Sequence, residues 1–73
     1  MSPQAQFIRL SAVIQITSIS RSGVYARLNP RSPSYDPTFP RPIKLSSGPR
    51  GAVAWVLSEI QAWVRSKIAE RNR

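Results

Sequence analysis

One segment, Ile19-Ser-Arg-Ser-Gly-Val-Tyr-Ala-Arg-Leu28, combines a helix start, a polar and basic face and two apolar residues at helical spacing. The Ser20 hydroxyl can accept a hydrogen bond from a free amide of the first helical turn. Val24 and Leu28 are four residues apart and therefore share one helix face. The segment predicts a helix that buries this face and presents a polar surface formed by Arg21, Ser22, Tyr25 and Ala26.

Upstream, Leu10–Thr17 predicts a first helix, with Ser11 as its N-cap and Leu10 packed against its first turn. Between the two helices lies the short polar segment Thr17–Ser20, whose one apolar residue is Ile19. We expect a tight turn with Ile19 pointing into the angle between the helices. The two segments together predict a helix-turn-helix.

Gly23 in the second predicted helix has two interpretations. A glycine costs about 1 kcal/mol of helix propensity relative to alanine, and it can be a neutral accident of the sequence. Alternatively, the missing side chain lets the backbone approach a bound partner closely.

Downstream, Asn29–Thr38 contains three prolines, which exclude a continuing helix and a central strand. The segment predicts a long loop, in which Tyr35 either fixes the loop to the domain or contacts a partner; we favour the first role. The Phe39 side chain is expected to close the core beneath this loop.

A two-stranded hairpin follows, formed by Pro42–Leu45 and Ala52–Leu57, with its tip at Ser46–Gly51. Val53, Trp55 and Leu57 share one face by strand alternation and should pack against the helices. The hairpin forms the wing of a small winged helix-turn-helix.

The last helix is predicted to begin at Ser58, because Ser58-Glu-Ile-Gln61 matches a capping box. A stripe at three-and-four spacing predicts its buried face, formed by Ile60, Trp63, Val64, Lys67 and Ile68. Arg71–Arg73 are expected to fray. Trp55 and Trp63 are interpreted as core residues rather than base-stacking residues, since both lie on apolar faces.

Composition narrows the functions that this chain can have. Its 73 residues hold 11 Lys and Arg against 3 acidic residues, a formal net charge of +8 that favours polyanionic partners. Without histidine or cysteine, and with acids scattered at Asp36, Glu59 and Glu70, the sequence offers no catalytic pair, no metal site and no cofactor site. We expect a cytoplasmic protein without membrane contact, since no run approaches the length of a membrane span.

The predicted fold is therefore α+β, with about three helices and a β-hairpin wing. We expect a flexible N-terminus over residues 1–6, one winged helix-turn-helix domain over residues 7–68, and a basic tail over residues 69–73.

Four segments resemble the AlpA family of prophage regulators: Phe7-Ile-Arg-Leu10, Ser20-Arg-Ser-Gly-Val-Tyr25, Phe39-Pro-Arg-Pro-Ile-Lys-Leu45 and Ala52-Val-Ala-Trp55. The resemblance implies a winged helix-turn-helix of the MerR and excisionase type that regulates prophage transcription or directs an integrase. It also implies a recognition helix at Arg21–Leu28, a wing tip at Ser46–Gly51 and a nucleoid-associated location in a bacterium.

We therefore expect sequence-specific binding of double-stranded DNA, with the second helix in the major groove and the wing in the minor groove. The candidate contact residues are Ser20, Arg21, Ser22, Gly23, Tyr25, Ala26, Arg27, Arg41, Lys44, Ser47 and Arg50. Expected partners are duplex DNA, further copies of the chain, and an integrase or RNA polymerase. An RNA-binding module and a protein-interaction adaptor, docking through Ile60–Ile68, remain alternatives.

Overall fold

Helices and short strands surround a small core in the computed structural model, which describes residues 6–47 and 51–71. In chain order the elements are β1 (Phe7–Ile8), α1 (Leu10–Thr17), α2 (Arg21–Leu28), β2 (Ile43–Lys44), β3 (Val53–Val56) and α3 (Leu57–Arg71). The predicted α+β class, with three helices and an antiparallel hairpin, is confirmed.

The longest strand, β3, lies in the centre of a sheet with the order β1-β3-β2. Both neighbours pair with it in antiparallel fashion, with Phe7 opposite Val56 on one side and Lys44 opposite Val53 on the other. The Leu45 amide extends the hairpin by donating to the Ala52 carbonyl at 2.7 Å. The strand β1 was not predicted, because two residues are too few to show an alternating pattern.

α1 and α2 are joined by the short turn that the sequence predicted. Ser18 ends α1 in the left-handed region at a φ of 62°, and its amide donates to the Ile14 carbonyl at 2.8 Å. Ile19 packs against the buried core, as expected for the one apolar residue of the turn. These contacts confirm the helix-turn-helix.

The prediction that Ser11 caps α1 is wrong. The helix begins at Leu10, and its N-cap is Arg9, which makes no side-chain capping bond. The Arg9 carbonyl accepts from the Ala12 and Val13 amides at 3.0 and 3.1 Å. Because β1 ends at Ile8, Arg9 is the one residue between strand and helix, and Ser11 falls inside the first turn.

The capping box predicted at Ser58 is also wrong, because α3 begins one residue earlier, directly after β3. Leu57, predicted as a strand residue, is the first residue of the helix, and its amide donates to the Gln6 carbonyl at 2.8 Å. Within the described residues, no hydrogen bond joins Ser58 to Gln61. Gln6, the residue before β1, therefore provides the hydrogen-bond acceptor at the start of α3.

The core lies where α1, α2, α3 and β3 meet. Its fully or almost fully buried side chains are Val13, Val24, Phe39, Trp55 and Ile60. Trp63 packs against this cluster, with its ring edge-on to Phe39 at a centroid distance of 5.0 Å. The core roles predicted for Phe39 and both tryptophans are confirmed.

The predicted buried stripe of α3 extends only part of the way along the helix. Ile60 is fully buried and Val64 is half-buried, whereas Ile68 is 48% exposed. The prediction that Ile68 is a core residue is wrong, because the helix runs beyond the small sheet and core and continues to Arg71.

Two kinds of feature are absent from the described part of the chain. None of its helices has both the length and the apolar character of a membrane span. No cluster of three or more His, Cys, Asp or Glu residues occurs in residues 6–47 and 51–71.

Candidate nucleic-acid interface

The helix α2 begins with the side-chain cap that the sequence predicted. Ser20 has extended backbone geometry, and its hydroxyl accepts from the Gly23 amide at 3.1 Å. The same hydroxyl lies 3.4 Å from that of Ser22. Ser20 therefore fixes the start of the helix, and this bond occupies one acceptor position of a predicted contact residue.

One side of α2 is buried and the other is open. Val24 is fully buried and Leu28 packs against the core, while Arg21 and Ser22 are exposed and Tyr25 is 48% exposed. The predicted division of the helix into a core face and a polar face is thus confirmed. Ala26, also predicted as a surface residue, is half-buried.

Gly23 has a packing role that neither sequence interpretation included. A Cβ added at this position would lie 2.6 Å from Cγ2 of Ile19, far inside the distance that carbon atoms allow. The branched Ile19 side chain is itself packed against the core and cannot easily move. Glycine is therefore required for the close approach of the turn to α2, so Gly23 is no neutral accident of the sequence.

Arg27 is directed back along its own helix. One of its Nη atoms donates to the Gly23 carbonyl at 3.1 Å, and the residue is half-buried. A guanidinium has five N–H donors, so this bond leaves others free for a partner. The Arg27 side chain therefore lies along α2, directed toward the start of the helix, rather than at the centre of the exposed face.

The hairpin carries the other candidate contact residues. Lys44 on β2 and Ser47 beyond it are exposed, as is Arg41 just before the strand. Arg41 donates from Nη2 to the Tyr35 hydroxyl at 3.2 Å. Arg50, the predicted contact at the wing tip, lies outside the described residues.

The loop between α2 and β2 is held by Asp36, a residue that the sequence analysis treated only as an isolated acid. Its amide donates to the Arg27 carbonyl at 3.0 Å, at the end of α2. Its carboxylate accepts from Nε1 of Trp63 at 3.3 Å and lies 3.6 Å from Nζ of Lys67. The loop is therefore joined both to α2 and to α3.

The pKa of Asp36 lies below its ordinary value, chiefly because the Thr38 hydroxyl donates to the carboxylate. Burial acts in the opposite direction, whereas the Thr38 amide, the Trp63 indole and the charge of Lys67 lower the pKa further. In the sequence, the whole hairpin lies between Asp36 and its partners Trp63 and Lys67, and no local sequence pattern indicates such a pairing.

Positive charge dominates the exposed surface of the described chain. The ion pairs found within residues 6–47 and 51–71 both involve Lys67, which lies near Asp36 and near Glu70. No carboxylate of the described residues lies within ion-pair distance of an arginine in the same ranges, including Arg21 on α2 and Arg41 beside β2. Their charge is available to a polyanionic partner.

A helix-turn-helix joined to a small antiparallel sheet, with an open polar face on its second helix, defines a small α+β domain of the winged helix type. The family described as "Prophage CP4-57 regulatory protein (AlpA)" matches residues 6–68, and the chain belongs to this AlpA family.

Two relatives resemble the chain over most of its length. It is 42% identical over 62 residues to the "DNA-binding transcriptional activator AlpA" of Escherichia coli (strain K12), covering 85% of this chain and 84% of that protein. It is 33% identical over 70 residues to the protein ORF88 of Enterobacteria phage P4, covering 96% of this chain and 69% of that protein. No solved structure matches the chain.

Proposed function

We propose that this chain is a sequence-specific double-stranded DNA-binding protein that regulates transcription. The carrying observation is the polar surface of α2, where Arg21, Ser22 and Tyr25 are exposed while Val24 in the same helix is fully buried. This arrangement fits a recognition helix, which must be fixed by its inner face while its outer side chains reach base edges. The relative in Escherichia coli named as a DNA-binding transcriptional activator supports the same function.

In the proposed complex, α2 enters the major groove, where Ser22 and Tyr25 contact base edges or phosphates. Arg21 and Arg27 contact the sugar-phosphate backbone and fix the position of the helix. The hairpin lies along the neighbouring minor groove, whose negative potential attracts the exposed cation of Lys44 on β2.

The test is binding of labelled duplexes that were first selected from a random pool. We expect Tyr25→Ala to weaken the selected duplex about tenfold while changing random duplex little, since base contacts are typically worth about 1–3 kcal/mol. Arg21→Gln should weaken both duplexes. A matched control is Arg65→Gln, which removes one exposed charge from α3.

Equal binding of selected and random duplexes would contradict sequence-specific recognition. Preference for single-stranded RNA in direct competition would favour the RNA-binding alternative. An unchanged affinity in both the Arg21 and Tyr25 variants would exclude α2 as the contact surface.

We further propose that several copies bind side by side, because a helix of eight residues reads few base pairs. Duplexes with one, two and three selected sites should then be bound with increasing affinity per site. Location of the selected sites separates two roles: sites at promoters indicate a transcription regulator acting with RNA polymerase. Sites at a phage attachment region indicate an excisionase acting with an integrase.

A further inference from the structure

The loop between α2 and β2 has a fixed shape that its length alone would not predict. Five prolines, at positions 30, 33, 37, 40 and 42, restrict its backbone. Two successive turns are each closed by a hydrogen bond from a backbone amide to a side chain. The Arg31 amide donates to Oδ1 of Asn29 at 3.0 Å, and the Ser34 amide donates to the Ser32 hydroxyl at 3.1 Å. These bonds and the fixed φ of proline limit the conformations that are open to the loop.

Charge within this loop is divided between an inner and an outer side. Asp36 is the one acidic residue between positions 29 and 47, and its carboxylate is directed inward to Trp63 and Lys67. Arg31 and Arg41 are exposed, and neither has a carboxylate within ion-pair distance in the described chain. The outer side thus carries cations and hydroxyl groups without an opposing acid.

One of these cations is already held in place. The Tyr35 hydroxyl accepts from Nη2 of Arg41 at 3.2 Å, while Tyr35 itself is half-buried and its amide donates to the Ser32 carbonyl at 3.0 Å. Among the residues that the structure describes, no acceptor takes the remaining N–H groups of the guanidinium, whose planar arrangement suits the paired oxygens of a phosphate. Holding the side chain beforehand reduces the rotamer entropy lost on binding.

We infer that this loop is a second phosphodiester-binding surface, on which Arg31 and Arg41 contact the DNA backbone and Tyr35 positions Arg41. This inference rests on the proposed function. It adds to α2 and the hairpin a contact element that recognises backbone phosphate and no particular base.

The position of the loop agrees with this role. Arg31 lies three residues beyond Leu28, the last residue of α2. An eight-residue helix is about 12 Å long, which is also about the width of the major groove. When the start of α2 lies near one wall of the groove, Arg31 is within reach of phosphates on the other.

The experiment measures affinity for the selected duplex and for random duplex between 0.05 and 1 M salt. Arg31→Gln and Arg41→Gln should each lower the affinity for both duplexes alike, by about tenfold at 0.05 M salt. The difference in affinity between variant and parent should vanish toward 1 M salt. Each should reduce the slope of log K against log salt by about 0.9, the value for one phosphate contact. Arg65→Gln is the matched control and should leave the slope unchanged.

Tyr35→Phe tests the positioning role, because it removes the hydroxyl and keeps the ring. It should weaken binding in the parent and have no effect in the Arg41→Gln background, where no guanidinium remains to be positioned. Equal effects of Tyr35→Phe in both backgrounds would overturn that role.

The inference and the proposed function fail in different ways. If the parent chain binds DNA and loses affinity with Tyr25→Ala, but Arg31→Gln matches Arg65→Gln, the loop surface is wrong while the proposed function stands. If the parent binds no duplex at any salt concentration, the proposed function itself fails. Circular dichroism of each variant shows whether the fold is intact.

Discussion

The helices α2 and α3 each have a serine near the start and a fully buried aliphatic side chain, Val24 in one and Ile60 in the other. They differ in what precedes them. Three turn residues lead into α2, and Ser20 caps it; β3 runs directly into α3, and the Gln6 carbonyl accepts from its first amide. The same residue type therefore acts as a cap only where the preceding backbone leaves the helix start open.

The two helices also differ in how much of their length packs against the rest of the domain. α2 is fixed along its length, by the Ser20 cap and by the packing of Gly23, Val24 and Leu28, while its charged and hydroxyl side chains at positions 21, 22 and 25 are exposed. α3 is fixed through its first half and is exposed toward Arg71. A short helix held along its full length can present side chains in a constant orientation, which recognition of DNA requires.

The largest expected effect concerns the two halves of α3. Ile60→Ala should lower the free energy of unfolding by about 2–5 kcal/mol, because it leaves a cavity in a fully buried site. Ile68→Ala should change it by less than about 0.5 kcal/mol, since this side chain is largely exposed. Urea denaturation of each variant measures its free energy of unfolding. Similar losses for the two variants would mean that α3 is buried along its full length.

Gly23→Ala tests whether the turn truly packs onto α2. Alanine gains about 1 kcal/mol of helix propensity, but its Cβ would clash with Cγ2 of Ile19 at 2.6 Å. Overpacking typically costs about 1–3 kcal/mol, so we expect a net loss of stability. The loss should shrink in the background of Ile19→Ala, which removes the clashing methyl group. A net gain in the parent background would contradict the close approach.

These tests bear on how much of the fold the sequence could predict. Local patterns were sufficient for the Ser20 cap, the Val24 face and the hairpin, because residues close in sequence determine each of them. The wrong or missing predictions involve distant partners: β1 exists only through pairing with β3, and Leu57 bonds to Gln6. No single-sequence pattern reports such contacts.

In the candidate site, too, local sequence predicts some features, while contacts between distant residues determine others. The exposed edge of α2 followed from helical spacing, whereas the packing of Gly23 against Ile19 depends on the angle between the turn and the helix. Likewise, Asp36 contacts Trp63 across 27 residues, so the attachment of the loop could not be predicted from the loop itself.

Asp36→Asn tests the side-chain contact that joins the loop after α2 to the middle of α3. We expect a loss of about 1–2 kcal/mol near neutral pH, since the carboxylate accepts several bonds and lies near Lys67. The folded pKa of Asp36 is lowered, so this contribution is complete above the unfolded value of about 3.9 and is lost as pH falls through the folded pKa.

Denaturation of parent and Asp36→Asn between pH 2 and pH 7 measures this dependence. The stability difference between the two proteins should narrow only at the acid end of the range. A constant difference across the range would show that the charge of Asp36 contributes nothing, and that any loss comes from altered hydrogen-bond geometry.

The smallest expected effect separates the two serines directly. Ser20→Ala should lower stability by about 1 kcal/mol, because the Gly23 amide loses its acceptor at the start of α2. Ser58→Ala should be neutral or slightly stabilising, because Ser58 lies inside α3 and alanine is the better helix former. Ser20→Asp should restore the cap and add a charge that favours the helix dipole, yet it should weaken DNA binding by repelling phosphate. Equal losses of stability in Ser20→Ala and Ser58→Ala would mean that both serines cap their helices. If Ser20→Asp restores stability and binds DNA as tightly as the parent, the start of α2 lies away from the DNA backbone.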